Sequence, residues 1–104
     1  MEVTYASKKE EKIITNERLC KRIYGSLSMN IRIRVAELEA ASSLLDIPET
    51  PPPQRHKLTG KEAHCWALRV SRNFRIVLCP SGTYSLTDLS SIVAVQILRI
   101  EDYH

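Results

Sequence analysis

The residues best suited to chemistry lie in the second half of the chain. Arg75 stands mid-strand among Phe74, Ile76 and Val77. A guanidinium offers a planar fork that matches phosphate or carboxylate oxygens two at a time. An Arg between apolar strand neighbours therefore either pairs with a carboxylate or faces an anion site. The sequence closes on Glu101-Asp102-Tyr103-His104, which gathers acid, phenol and imidazole groups at one point. General acid–base catalysis needs such groups within hydrogen-bond reach of a substrate; the competing reading is a solvated tail. His56, one residue after Arg55, is a further imidazole at the entry to the same region. If the strand through Ile92–Ile100 continues to the end, even-numbered residues share one face. Asp102 and His104 then point one way and Tyr103 the other.

Charge concentrates in this half. Residues 1–53 carry 8 basic and 8 acidic side chains, and residues 54–104 carry 7 and 4, so the whole net charge of +3 lies there. Within 54–76, Arg55, Lys57, Lys61, Arg69, Arg72 and Arg75 stand against Glu62 alone. That balance favours a polyanion or an acidic protein, although a solvated strand face would look similar. The sequence holds no Gly-rich phosphate loop, HExxH or GxSxG. Its aromatics are too few for a base-stacking platform. Cys20, Cys65 and Cys79 are odd in number and lack ligand spacing, so they read as reduced, packed cysteines, with no metal site and no cofactor.

The elements that must hold these groups are α+β in pattern. Val3 and Tyr5 alternate with Glu2 and Thr4, as in an edge strand. Ser7-x-x-Glu10 has capping-box spacing, so a helix starts near Lys8, with a kink or restart at Thr15-Asn16 and an end at Gly25. Leu27, Ile31, Val35, Leu38, Ser42 and Leu45 predict a second helix across that whole span. Pro48 and Pro51–Pro53 end it and predict a stiff, extended connector. Strands follow at 54–58, 64–70, 74–79 and 92–100, with a capped helical turn at 87–90. The expected order is β-α-α-β-β-β-β, one domain over 1–104, with two N-terminal helices packed on a twisted antiparallel sheet. No apolar run approaches the ~20 residues of a membrane span and no secretory signal is present, so a cytoplasmic protein is expected.

Three segments together resemble the HigB-type toxins of bacterial type II toxin–antitoxin systems, within the RelE/ParE group: Arg55-His56-Lys57-Leu58-Thr59-Gly60, Arg72-Asn73-Phe74-Arg75-Ile76 and the terminal Asp102-Tyr103-His104. The opening Val3-Thr4-Tyr5-Ala6-Ser7-Lys8-Lys9 and the Ala36-Glu37-Leu38-Glu39-Ala40 helix are similar to one branch of that group, in the same order along the chain. Many relatives read His-Pro-Leu-Lys-Gly where this chain has His56-Lys57-Leu58-Thr59-Gly60, and Cys65-Trp66 stands where Gly or Tyr is frequent.

The resemblance implies a RelE-like fold and ribosome-dependent cleavage of messenger RNA in the A site. Attack of a 2′-OH on the adjacent phosphate would leave a 2′,3′-cyclic phosphate and a 5′-OH. It implies His56, Arg75, Asp102, Tyr103 and His104 as catalytic residues. His56 or His104 would act as base or acid, Asp102 would tune or share that role, Arg75 would neutralise phosphate charge and Tyr103 would stack on or orient the nucleotide. Arg55, Lys57, Arg69 and Arg72 would bind the RNA backbone. Implied partners are a HigA-like antitoxin, ribosome-bound mRNA and, through the antitoxin alone, operator DNA. The same resemblance leaves open an inert antitoxin- and DNA-binding module, or a ParE-like poison of DNA gyrase.

Overall fold

A computed structural model describes residues 1–103, so expectations for His104 lie outside the described residues. Strand β1 (Glu2–Tyr5) leads into helices α1 (Lys8–Ile14), α2 (Glu17–Tyr24) and α3 (Ser28–Ala40). Strands β2 (His56–Lys57), β3 (Trp66–Arg69), β4 (Phe74–Pro80) and β5 (Ala94–Asp102) complete a five-stranded sheet in the order β1-β5-β4-β3-β2. Four strands form an antiparallel run, and β1 closes one edge parallel to β5. The fold is α+β, with the helices on one face of the sheet.

The expected restart between the first two helices is present. Ser7 Oγ accepts from the Glu10 N–H at 3.2 Å, and Asn16 Oδ1 accepts from the Leu19 N–H at 2.9 Å. The Glu10 carboxylate does not close the capping box; it accepts the Tyr24 hydroxyl and ties α1 to α2. Burial, followed by that bond, pushes the Tyr24 phenol well above its ordinary range. Asn16→Ala removes an acceptor that α2 has no other side chain to replace. It is expected to cost about 1 kcal/mol, visible as a lower urea midpoint at unchanged slope.

The second helix is shorter than its stripe predicts. Ile31, Val35 and Leu38 enter the core, but α3 stops at Ala40, and Ala41 is extended with ψ 146°. The Asp46 carboxylate accepts the Ser42 N–H at 3.0 Å, and the Met1 amino group donates to the carbonyls of Leu38 and Glu39 at the helix end. Leu44, fully buried on the turn Leu44–Asp46, takes the core position expected of Leu45, which is 55% exposed. The prolines likewise turn rather than extend. Gln54 N–H reaches back to the Thr50 carbonyl at 3.1 Å and Arg55 N–H to that of Pro48 at 2.9 Å, with Gln54 at φ 46°.

The core face of the sheet carries Trp66, Leu68 and Val70, then Ile76 and Leu78, then Val95 and Ile97, packed beneath Ile14, Ile31, Val35 and Leu38. Alternation places Cys65, Ala67 and Arg69 of the β3 region, and Arg75, Val77 and Cys79 of β4, on the opposite, outer face. On β5 the alternation breaks once. Leu78 pairs with Ile97 but Val77 pairs with Arg99, so Leu98 is an extra residue without a partner on β4. Such a bulge changes which face the following side chains take. Val95 and Ile97 point inward before it, and Ile100 packs against the core after it. One uninterrupted parity from 92 to the end therefore does not hold, and Arg99, Glu101 and Tyr103 emerge on the outer face.

The cysteines also depart from expectation. The register Trp66↔Leu78 sets Cys65 opposite Cys79 with Cα atoms 4.3 Å apart, and the two form a disulfide. Spacing hides the pair because strand pairing, not sequence proximity, joins them. Cys20 remains a free, buried thiol, whose pKa burial raises.

Candidate functional site

The outer face is the side of the sheet that the helices do not cover, and its rows follow from the register. One row runs His56, Ala67, Val77, Arg99 across β2, β3, β4 and β5. The next runs Arg69, Arg75, Glu101. Tyr103 extends the pattern by donating its N–H to the Asn73 carbonyl beyond the last ladder pair. Ala67 and Val77 are buried and form the floor between the charged groups. The backbones of His56 and Arg75 are about 12 Å apart on two-strand, two-residue sheet spacing.

Arg75 is held from one side. Its Nη1 donates to the Ser71 carbonyl at 2.7 Å and to the Phe74 carbonyl at 3.0 Å, with the Arg72 carbonyl at 3.4 Å. The guanidinium carbon lies 5.1 Å from the centre of the Tyr103 ring, inside the range of a cation–π contact. Of the two readings open for a strand Arg, pairing with its cross-strand neighbour does not occur, because Glu101 is engaged by Arg99. Arg69, directly beside Arg75, leans toward Gln54 Oε1 at 3.5 Å. It borders an open depression of about 470 Å³ that also involves Asn30, Arg34 and Ser71.

The remaining expected residues fall in different places. His56 is exposed on the short edge strand β2. Arg72 is exposed in the β3–β4 turn. Asp102 pairs with Phe74 and alternates away from Glu101 and Tyr103, so it can act only around the strand's end. Lys57 is one residue out of phase with His56. It pairs with Trp66, and its ammonium sits 5.7 Å from the Trp66 ring, on the core side of the sheet edge. Arg55 is buried and faces away from the open surface altogether. Its Nη1 donates to the carbonyls of Leu44 and Ile47 at 2.8 and 2.9 Å, and Glu49 lies 3.7 Å from Nη2. A guanidinium occupied by chain carbonyls has a structural task, so the placement of Arg55 runs against an RNA-backbone role for it, whereas Lys57 is exposed.

Sequence reading passed over the other charged members of this face. Arg99 forks onto both oxygens of Glu62 at 2.9 and 2.7 Å and donates from Nε to Glu101 at 3.1 Å. The cluster pins the turn Gly60–Glu62 against β5. No local signal marks it, since Glu62 and Arg99 are far apart in sequence and the Leu98 bulge aims Arg99 outward. Its hydrogen bonds to Glu62 hold that carboxyl below its ordinary range and raise the already high Arg99 pKa. A depressed folded pKa means the unfolded chain binds more protons over that window, so stability rises with pH there. Wild type should exceed Glu62→Gln in thermal stability above the ordinary carboxylate range, and that margin should vanish as pH falls through the folded Glu62 pKa. With both partners a third or more exposed, the margin is expected to stay under about 1 kcal/mol. Paired melting curves at neutral and acid pH check the sign.

No protein-family model matches the sequence, and no curated protein matches it either. Among solved structures, a YoeB/ParE toxin from Agrobacterium tumefaciens aligns over 100% of both chains with TM-score 0.62 at 13% identity. The likeness establishes a fold of the RelE/ParE type. Among the described residues, no helix is long and apolar enough to cross a membrane.

Proposed function

We propose that this chain is the toxin of a type II toxin–antitoxin pair, of HigB type, acting as an endoribonuclease on ribosome-bound messenger RNA in the cytoplasm. The observation that carries the reading is the pairing on one open sheet face of Arg75 with the Tyr103 ring, beside Arg69 in register. A cation over an aromatic ring next to a second guanidinium suits a nucleotide, whose phosphate takes the charge and whose base takes the ring. The fold shared with a YoeB/ParE toxin is consistent with it.

In this reading the RNA lies across the outer face, with the scissile phosphate between His56 and Arg75. A general base, His56 or His104, takes the proton from the 2′-OH, which attacks the adjacent phosphorus. Arg75 neutralises the charge that builds on the non-bridging oxygens. A general acid protonates the departing 5′-oxygen, leaving a 2′,3′-cyclic phosphate and a 5′-OH. Tyr103 orients the nucleotide, Asp102 tunes the terminal acid–base group, and Arg69 and Arg72 hold flanking phosphates. The whole of 1–104 serves as one domain, and a HigA-like antitoxin is the neutralising partner.

A gyrase poison of the same fold is the competing reading, since the solved relative's name joins both types. Induced expression in bacterial cells separates them. Translation should stop before DNA synthesis, with new 5′ ends inside coding sequences. Arrest of DNA synthesis first, with broken chromosomal DNA, would favour the gyrase reading. No growth effect would leave an inert binding module.

A further inference from the structure

We propose that the chain with reduced cysteines carries a zinc-type metal site formed by His64, Cys65 and Cys79, at the far end of the outer face from Arg75 and Tyr103. Three ligand atoms, one imidazole nitrogen and two sulfurs, lie within 4.8 Å of one another. Register, not spacing, assembles them. Cys65 and Cys79 stand opposite each other across β3 and β4, and His64 adjoins Cys65 at the end of the turn held by the Cys65 N–H bond to the Glu62 carbonyl at 2.9 Å. Two thiolates and an imidazole are ligands that Zn²⁺ takes in tetrahedral sites. Ligand atoms around such an ion sit about 3.5–3.8 Å apart on the usual bond lengths. After reduction the two sulfurs, bonded to each other in the oxidised chain, must part to that spacing, and exposed His64 must close on them by side-chain rotation.

The disulfide and the metal exclude each other. Reduction by a dithiol adds two electrons and two protons to the Cys65–Cys79 bond, giving two thiols and an oxidised, disulfide-form reductant. Metal binding then releases those two thiol protons as both sulfurs become ligands. The resulting site is electrically neutral: the divalent charge balances two thiolates, and His64 binds uncharged. Neutrality suits its location, where Cys65 is fully buried and Cys79 nearly so. The cytoplasmic location proposed above would keep the pair reduced, but the site itself does not depend on the RNA reading.

Cobalt(II) is the probe, added to the purified full-length chain after dithiol reduction and anaerobic removal of the reductant. Reduced wild type should bind a single equivalent, with a thiolate-to-cobalt charge-transfer band, tetrahedral visible bands and displacement by zinc. The air-oxidised chain should show none of these. His64→Ala, a change at an exposed position, should weaken binding by at least about tenfold while far-ultraviolet circular dichroism stays unchanged. Cys79→Ser should abolish the charge-transfer band, and Cys20→Ser should leave it intact. Absence of the band in reduced wild type, undiminished affinity in His64→Ala, or loss of binding in Cys20→Ser would each overturn the proposal.

Discussion

Arg75→Ala is expected to lower RNA cleavage about 10²–10³-fold, the usual consequence of removing one group that stabilises transition-state charge. Stability should fall by only about 1 kcal/mol, because the lost Nη1 bonds run to turn carbonyls at the sheet end rather than into the core. Arg75→Lys keeps the charge but cannot hold the Ser71 carbonyl and a phosphate with one planar fork. It should therefore recover only a small part of the rate. The Tyr103 ring, which lies against the guanidinium, should become more mobile in the alanine variant. Cleavage rates from initial velocities, set beside urea midpoints, separate the effects. A variant that loses rate only in proportion to its unfolded fraction would remove Arg75 from the reaction.

Arg55→Ala should do the reverse. Its guanidinium is the donor for the Leu44 and Ile47 carbonyls, which close the chain between α3 and the sheet. Removing it strands buried acceptors and opens a cavity. The expected loss is about 3 kcal/mol, or roughly 12–20 °C in melting temperature for a domain of this size. Activity per folded molecule should be unchanged at low temperature. Intact stability with weakened RNA binding would instead return Arg55 to the RNA-binding group that its neighbour His56 suggests.

These two arginines show what the sequence could and could not carry. Both sit in the same basic window, two strands apart, and charge counting treats them alike. What separates them is which way each side chain leaves the sheet, and that depends on where β2 begins after the proline turn. Local features were readable. The caps at Ser7 and Asn16, the Ile31-Val35-Leu38 stripe and the Arg75 strand depend on neighbours within a turn or two. The end of α3 was not, because the Met1 amino group and Asp46 act on it from outside the stripe. The Leu98 bulge was not, because an extra residue leaves no mark in an apolar run. Yet that bulge sends Arg99, Glu101 and Tyr103 to the open face instead of the core. The Cys65–Cys79 pair and the Glu62–Arg99–Glu101 cluster are products of register, so they became visible only once the strands were paired.

We propose that the outer face cuts messenger RNA on the ribosome. Primer extension on a defined mRNA in a purified translation system tests it most directly, with wild type, Arg75→Ala and His104→Ala side by side. Wild type should give cuts inside codons, dependent on ribosomes, with 5′-OH ends on the downstream fragments, and either variant little or no cleavage. Intact mRNA with wild-type protein, or cuts that persist undiminished in Arg75→Ala, would contradict it.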